Sequence, residues 1–207
     1  LKKKKVLIWD QQQNYYQKDD IKLLNFKKID LPGEHNHKNA SFAALAAYLA
    51  GQKQEKIQQA AENYRLQSHR MEFVENKKSF LIIDDSKATN PNATLKALNS
   101  IKRDVILIAG GQDRNADFSS LVPIIEKKVK TLILIGETAD KIASLFNGSK
   151  LKIIRVKTME AAAQIGADQL TENKALLLSP ACPSWDMYSS YKERGNIFQE
   201  SIKKNIN

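Results

Sequence analysis

Two segments of this chain follow apolar runs and carry side chains that a protein core does not need: Asp84-Asp85-Ser86-Lys87-Ala88-Thr89-Asn90, and Ser179-Pro180-Ala181-Cys182-Pro183-Ser184-Trp185-Asp186. A carboxylate such as Asp85 can accept both hydroxyls of a ribose, and an ammonium such as Lys87 beside a helix N-terminus suits a phosphate or a carboxylate. Helix capping alone accounts for Asn90, which precedes Pro91, and can extend to Thr89. It leaves Asp85 and Lys87 unexplained. The two segments lie roughly ninety residues apart, and loops at the carboxyl ends of parallel strands can converge on one small molecule. No G-x-x-x-x-G-K-[ST] phosphate loop occurs in the 207 residues.

A third segment, Gly110 to Phe118, holds paired glycines and Arg114. Glycines permit close backbone approach to a ligand but equally permit an ordinary turn. Arg114 could grip a carboxylate through two parallel hydrogen bonds or simply face solvent. Arginine is scarce among the 33 Lys+Arg, with six residues, and Arg70, Arg114 and Arg194 all fall beside the segments singled out here. In His35-Asn36-His37-Lys38-Asn39, a metal reading of the histidines lacks a third ligand. Asn36 and Asn39 could bond an adenine edge or cap the helix that follows. Cys182, the only cysteine, has no histidine near it in sequence and reads as a structural thiol.

The elements that must position these residues read as follows. Residues around Val6 to Trp9 and around Tyr15 and Tyr16 form a hairpin, Ile29 to Gly33 a turn, and two helices follow, from Asn39 and over Lys53 to Tyr64, separated at Gly51. After His69 the pattern alternates. Near-continuous apolar runs at Phe80–Ile83, Val105–Ala109, Leu132–Ile135, Ile153–Val156 and Ala175–Leu178 suit strands buried on both faces, with helices near 93–101, 120–128, 139–146 and 159–170 between them. A final helix is expected from about Trp185 to Lys204. The order implies an α/β protein with a doubly wound, mostly parallel sheet.

Composition sets the remaining bounds. At 42% hydrophobic the chain can bury a full core, and no run is long enough for a membrane span. With no signal-like amino terminus, a cytoplasmic location is expected. The net charge of +10 is spread over scattered lysines without interleaved aromatics, so a solvated basic surface is expected rather than a nucleic-acid site.

Together, Gly33 to Asn39, Ser68-His69-Arg70-Met71-Glu72, Asp85 to Asn90, Gly110 to Phe118, Ser179 to Asp186 and Arg194-Gly195-Asn196-Ile197-Phe198 resemble the Mur ligases, most closely the branch that adds D-glutamate. The resemblance implies that residues 1–67 end a central ATP-binding domain and residues 68–207 form a Rossmann-like carboxyl-terminal domain. It implies an ATP-dependent amide ligase that adds D-glutamate to UDP-N-acetylmuramoyl-L-alanine in peptidoglycan precursor synthesis, through an acyl phosphate and a tetrahedral intermediate. Asn36 and Asn39 would contact adenine, Arg70 the nucleotide and Asp85 the ribose. Lys87 would act catalytically near the phosphate or the incoming amino acid. Thr89 and Arg114 would hold the α-carboxylate of D-glutamate, and Ser184 and Tyr191 its side-chain carboxylate. The family often has lysine at the Arg114 position and phenylalanine at the Tyr191 position. Its UDP-binding domain, phosphate loop and magnesium ligands have no counterpart here, so the expected protein is a monomer that needs ATP and Mg2+ and is inactive without those parts. A non-catalytic binding module of the same fold and a folyl-polyglutamate-type ligase are the competing readings.

Overall fold

The computed structural model describes residues 8–10, 15–18, 21–29, 31, 34–64, 67–78 and 80–206. The chain divides into two compact units, Leu1–Leu66 and Gln67–Asn207. In the first, β1 (Ile8–Asp10), β2 (Tyr15–Lys18) and β3 (Ile21–Asn25) form an antiparallel sheet in that order. The expected hairpin is its first two strands; Val6 and Leu7, and most of the expected turn at 29–33, lie outside the described residues. β3 is additional. Its Leu23 and Leu24, with Phe26 and Ile29, pack against Ala44 of α1 (Glu34–Leu49) and Ile57 of α2 (Gln54–Asn63).

Helix α1 begins at Glu34, five residues before the expected start, so Asn36 and Asn39 sit inside it and neither caps it. Its first turns are polar, and the apolar periodicity that marks a helix begins only at Ala40. His37 Nε2 lies 2.7 Å from the Leu31 carbonyl, and its ring stacks on Phe26 at 4.3 Å.

The second unit is a six-stranded sheet in the order β4 (Glu72–Phe73), β5 (Leu81–Asp84), β9 (Lys174–Leu178), β6 (Asp104–Ala109), β7 (Val129–Leu134), β8 (Lys152–Arg155). Only β4 runs antiparallel. All five expected parallel strands are present, and the fold is α/β with a mostly parallel sheet. Alternation along β6 and β9 shows why these runs are apolar throughout. Val105, Leu107, Ala175 and Leu177 face one core with α3 (Pro91–Ser100), α4 (Val122–Lys128) and α5 (Ala139–Ser144). Ile106, Ile108, Leu176 and Leu178 face the other, under α6 (Met159–Asp168) and α7 (Tyr191–Ile206). With helices on both faces, a polar residue mid-strand would have no solvent to meet.

Two expectations change. α7 begins at Tyr191, not near Trp185. Ser190 Oγ accepts from Glu193 N at 3.2 Å, and the Glu193 carboxylate accepts from Ser189 N at 2.7 Å, so the serine pair stops the chain from winding into a helix earlier. Trp185 and Tyr188 therefore belong to the preceding loop. The short β4 was not expected, since two residues carry no readable period.

Leu176, fully buried at the centre of the sheet, tests this layering. Leu176→Ala should cost about 2 to 5 kcal/mol in a urea titration of the chain. A loss below about 1 kcal/mol would mean that β9 is not sandwiched between the two cores.

Candidate functional site

The carboxyl ends of β5, β6 and β9 give rise to the three polar segments, and backbone hydrogen bonds bind those segments together. Gly110 N donates to the Pro180 carbonyl at 2.8 Å and Gln112 N to the Pro183 carbonyl at 3.0 Å. Gly110 and Gly111 have φ of +109° and +149°, and a Cβ on either would run into backbone carbonyls of Ile135 or Pro183. Here the paired glycines are required by both conformation and approach.

Asp85 is 6% exposed. Its Oδ1 accepts from Met71 N at 3.2 Å and its Oδ2 from Ser179 Oγ at 2.9 Å, tying the β5 segment to the β9 segment. Burial pushes its carboxyl up to about 6, partly offset by the Ser179 and Met71 bonds and by Arg70, while Asp84 adds to the rise. Each carboxylate oxygen has a second lone pair, so hydroxyl donors of a ligand can still be accepted. Arg70 is exposed. Asn90 caps α3 as expected, accepting from Ala93 N at 3.0 Å.

Lys87 bonds Gln67 through Nζ, which also lies 5.3 Å from the centre of the Tyr191 ring. Thr89 and Tyr191 are half-buried, Ser184 is buried and Arg114 is exposed. Arg114 lies 4.5 Å over the Trp185 ring and donates through Nε to Gln112 Oε1 at 3.3 Å. Among the described residues, the Thr89, Ser184 and Tyr191 hydroxyls and the Arg114 terminal nitrogens bond nothing in the protein. Lys87 thus adjoins Tyr191, and Arg114 adjoins Trp185, the residue after Ser184. Asn36, buried, and Asn39, exposed, belong to the first unit.

Two residues that carry this arrangement had no assigned role in the sequence. Arg194 is fully buried and donates to Ser86 Oγ at 3.0 Å, the Ser86 carbonyl at 2.7 Å and the Cys182 carbonyl at 3.1 Å. Ser86 Oγ in turn donates to the Tyr191 carbonyl at 2.8 Å. Burial lowers the guanidinium to about 10, leaving it charged at neutral pH. His69 is buried with φ +62°, and its Nδ1 lies 2.7 Å from Asp84 Oδ2, which also accepts from Gln199 at 2.8 Å. Gly195 leaves the space that this imidazole occupies. The clue to both was the placement of Arg194-Gly195 and His69 beside the motifs.

His69, Glu72 and Asp84 are the group of three metal-ligand types among the described residues. The imidazole Nδ1 and Asp84 Oδ2 already bond each other, Asp84 Oδ2 also accepts from Gln199, and Glu72 accepts from the backbone N of His69 at 2.7 Å. That set, with an imidazole among its three donors and Asp84 committed to His69 and Gln199, does not fit magnesium, which takes oxygen ligands. Cys182 is buried, its thiol 3.3 Å from Thr138 Oγ1, and burial pushes it up to about 11, which suits a structural thiol.

Residues 69–182 match the Mur ligase, glutamate ligase domain, which covers more than half of the chain. The chain belongs to the Mur ligase family. It is 39% identical over 184 residues to the UDP-N-acetylmuramoylalanine–D-glutamate ligase of Thermoanaerobacter sp. strain X514, covering 87% of this chain and 40% of that protein. The Clostridioides difficile strain 630 enzyme of the same name is 39% identical over 185 residues, 89% and 41% of the two chains. The chain thus spans about two fifths of these Mur ligases. The fold is also that of the Thermotoga maritima MurF ligase solved with ADP, at a TM-score of 0.66, 15% identity, and 97% and 46% coverage. A Mycobacterium tuberculosis folylpolyglutamate synthase matches at a TM-score of 0.62, 10% identity, and 82% and 41% coverage. No helix among the described residues is long and apolar enough to cross a membrane.

Asp85 makes a pH-dependent prediction. Its folded value near 6 lies above the ordinary 3.8, so the folded state holds the proton more tightly, and this contribution to stability is present below about pH 4 and lost as pH rises through 6. At pH 7.5 the charge costs on the order of 3 kcal/mol. Asp85→Asn keeps an acceptor for Met71 N, and the Ser179 hydroxyl can turn to accept. The variant should therefore melt higher than the parent at pH 7.5 and no higher at pH 4. Equal destabilisation at both pH values would mean that the carboxylate is a needed structural acceptor.

Proposed function

We propose that this chain is the carboxyl-terminal portion of a UDP-N-acetylmuramoylalanine–D-glutamate ligase, and that it receives D-glutamate and closes on the nucleotide. Residues 1–67 complete the central ATP-binding domain and residues 68–207 form the Rossmann-like domain. The observation that carries the reading is the set of unspent donors on Thr89, Arg114, Ser184 and Tyr191, on segments that follow β5, β6 and β9. Two carboxylates need such donors at two separated points, and a dicarboxylic amino acid has both.

Thr89 and Arg114 hold the α-carboxylate, and Ser184 and Tyr191 the side-chain carboxylate. Lys87, adjoining the Tyr191 ring, orients the amine towards the activated carboxylate of UDP-N-acetylmuramoyl-L-alanine. Asp85 accepts ribose hydroxyls and Arg70 adds positive charge beside it; on the first unit, Asn36 and Asn39, one turn apart on α1, are assigned to adenine by the family resemblance alone. ATP with Mg2+ supplies the phosphoryl group that activates the acceptor; the described residues offer the magnesium no fitting ligand set. Cytoplasmic location and a monomeric state follow from the same reading.

The test is an NMR titration of the isotope-labelled chain with D-glutamate, L-glutamate and ADP in turn. D-Glutamate should shift resonances of 87–90, 112–116 and 184–191 and L-glutamate should do so less. Arg114→Ala should weaken D-glutamate binding roughly ten- to a hundredfold, as expected for loss of a charge-assisted bond worth about 1.5 to 3 kcal/mol, and leave ADP unaffected. If ADP rather than D-glutamate responds to Arg114→Ala, the segment belongs to the nucleotide and the assignment fails.

A further inference from the structure

Trp185 is 58% exposed, although a large apolar ring in solvent gains nothing for the fold. It lies beneath the Arg114 guanidinium, at 4.5 Å from Cζ to the ring centre. A guanidinium on an aromatic face keeps its plane parallel to the ring and its N–H edge free. On this arginine one edge is already used, because Nε donates to Gln112 Oε1. The two terminal nitrogens remain, and they form an end-on fork whose spacing matches the two oxygens of a carboxylate.

The scaffold under this pair is fixed from several sides. Gln112 N donates to the Pro183 carbonyl, which anchors the Arg114 turn to the segment bearing Trp185. Asp113 N donates to Glu137 at 3.0 Å, the Asp113 carboxylate takes Lys141 at 3.0 Å, and Asn115, at φ +59°, donates to Asp113 Oδ1 at 2.8 Å. Asp113 is thereby satisfied by Lys141 and does not compete for Arg114. Trp185 also adjoins Ser184 in the chain, so the platform that aims the arginine is held beside the second carboxylate donor.

We propose that Trp185 and Gln112 are positioning residues that pre-set Arg114 for end-on, two-point binding of a carboxylate. The inference rests on the reading of Arg114 as an amino-acid ligand and deepens it: the pocket selects a planar carboxylate of a dicarboxylic amino acid rather than a diffuse negative charge. Lysine, a point charge with no plane to lie on the ring, keeps the attraction to a carboxylate but not the two-point geometry.

Dissociation constants for D-glutamate are to be measured by NMR on the chain and on Trp185→Leu, Trp185→Phe, Arg114→Ala, Arg114→Lys and the Trp185→Leu/Arg114→Ala pair. Trp185→Leu should weaken binding roughly two- to fivefold, the range for an exposed cation–π contact, and Trp185→Phe should retain most of it. In the Arg114→Ala background, Trp185→Leu should add no further loss, a non-additivity that simple damage to the loop would not produce. Arg114→Lys should bind less tightly than Trp185→Leu. If Arg114→Ala weakens binding while Trp185→Leu does not, or if their effects add, the positioning role is overturned and the Arg114 assignment stands. If Arg114→Ala itself is without effect, both readings fall.

Discussion

The guanidinium of Arg194 holds the candidate site together. It lies fully buried, with no carboxylate within ion-pair distance among the described residues, and distributes its donors over one hydroxyl and two carbonyls. A buried cation is costly unless its hydrogen bonds are made, so the geometry of its partners is dictated by the charge. Those partners are Ser86, between Asp85 and Lys87, and Cys182, two residues before Ser184. One side chain therefore sets the register of the β5 segment against the β9 segment. Through the Ser86 hydroxyl it also fixes the start of α7, where Tyr191 emerges.

Around this clamp the polar groups are spent unevenly. His69, Asp84, Gln199 and Glu72 bond one another, and Asp85 and Ser179 link two strand ends, so the floor of the site is committed. The hydroxyls of Thr89, Ser184 and Tyr191 are not. A carboxylate kept where burial raises it to about 6 opposes stability at neutral pH, and such groups concentrate where a ligand supplies the missing donors.

Much of the second unit could be read from sequence because its strands are covered on both faces, and a doubly covered strand must be apolar at every position. The same reasoning located the polar loops, since Asp84-Asp85 and Ser179 end two such runs. Asn90 was legible as a cap because Pro91 marks the first turn of α3. The start of α7 was also written in the chain, in Ser190 and Glu193, but the aromatic residues upstream gave a misleading helical period. The place of Arg194 beside the motifs was legible, but its role as a clamp was not. Its partners are mostly backbone carbonyls, which every residue possesses and no sequence pattern distinguishes. β4 and the His69–Asp84 contact depend on a chain reversal near a left-handed His69 and Met71, both non-glycine residues in a conformation that composition does not announce.

The far border of the sheet bears on behaviour at high concentration. β8 pairs with β7 on one side only, and its outer row of backbone donors and acceptors is a template on which another chain could add. The strand is four residues long and opens and closes on exposed cations, Lys152 and Arg155, with two half-buried isoleucines between. An incoming β8 from a second molecule, arriving antiparallel, would set each cation against the other. Arg155 is paired with Asp140 at 2.7 Å, so the opposition to edge-to-edge growth rests on the shortness of the strand and on Lys152 more than on a full charge at each end.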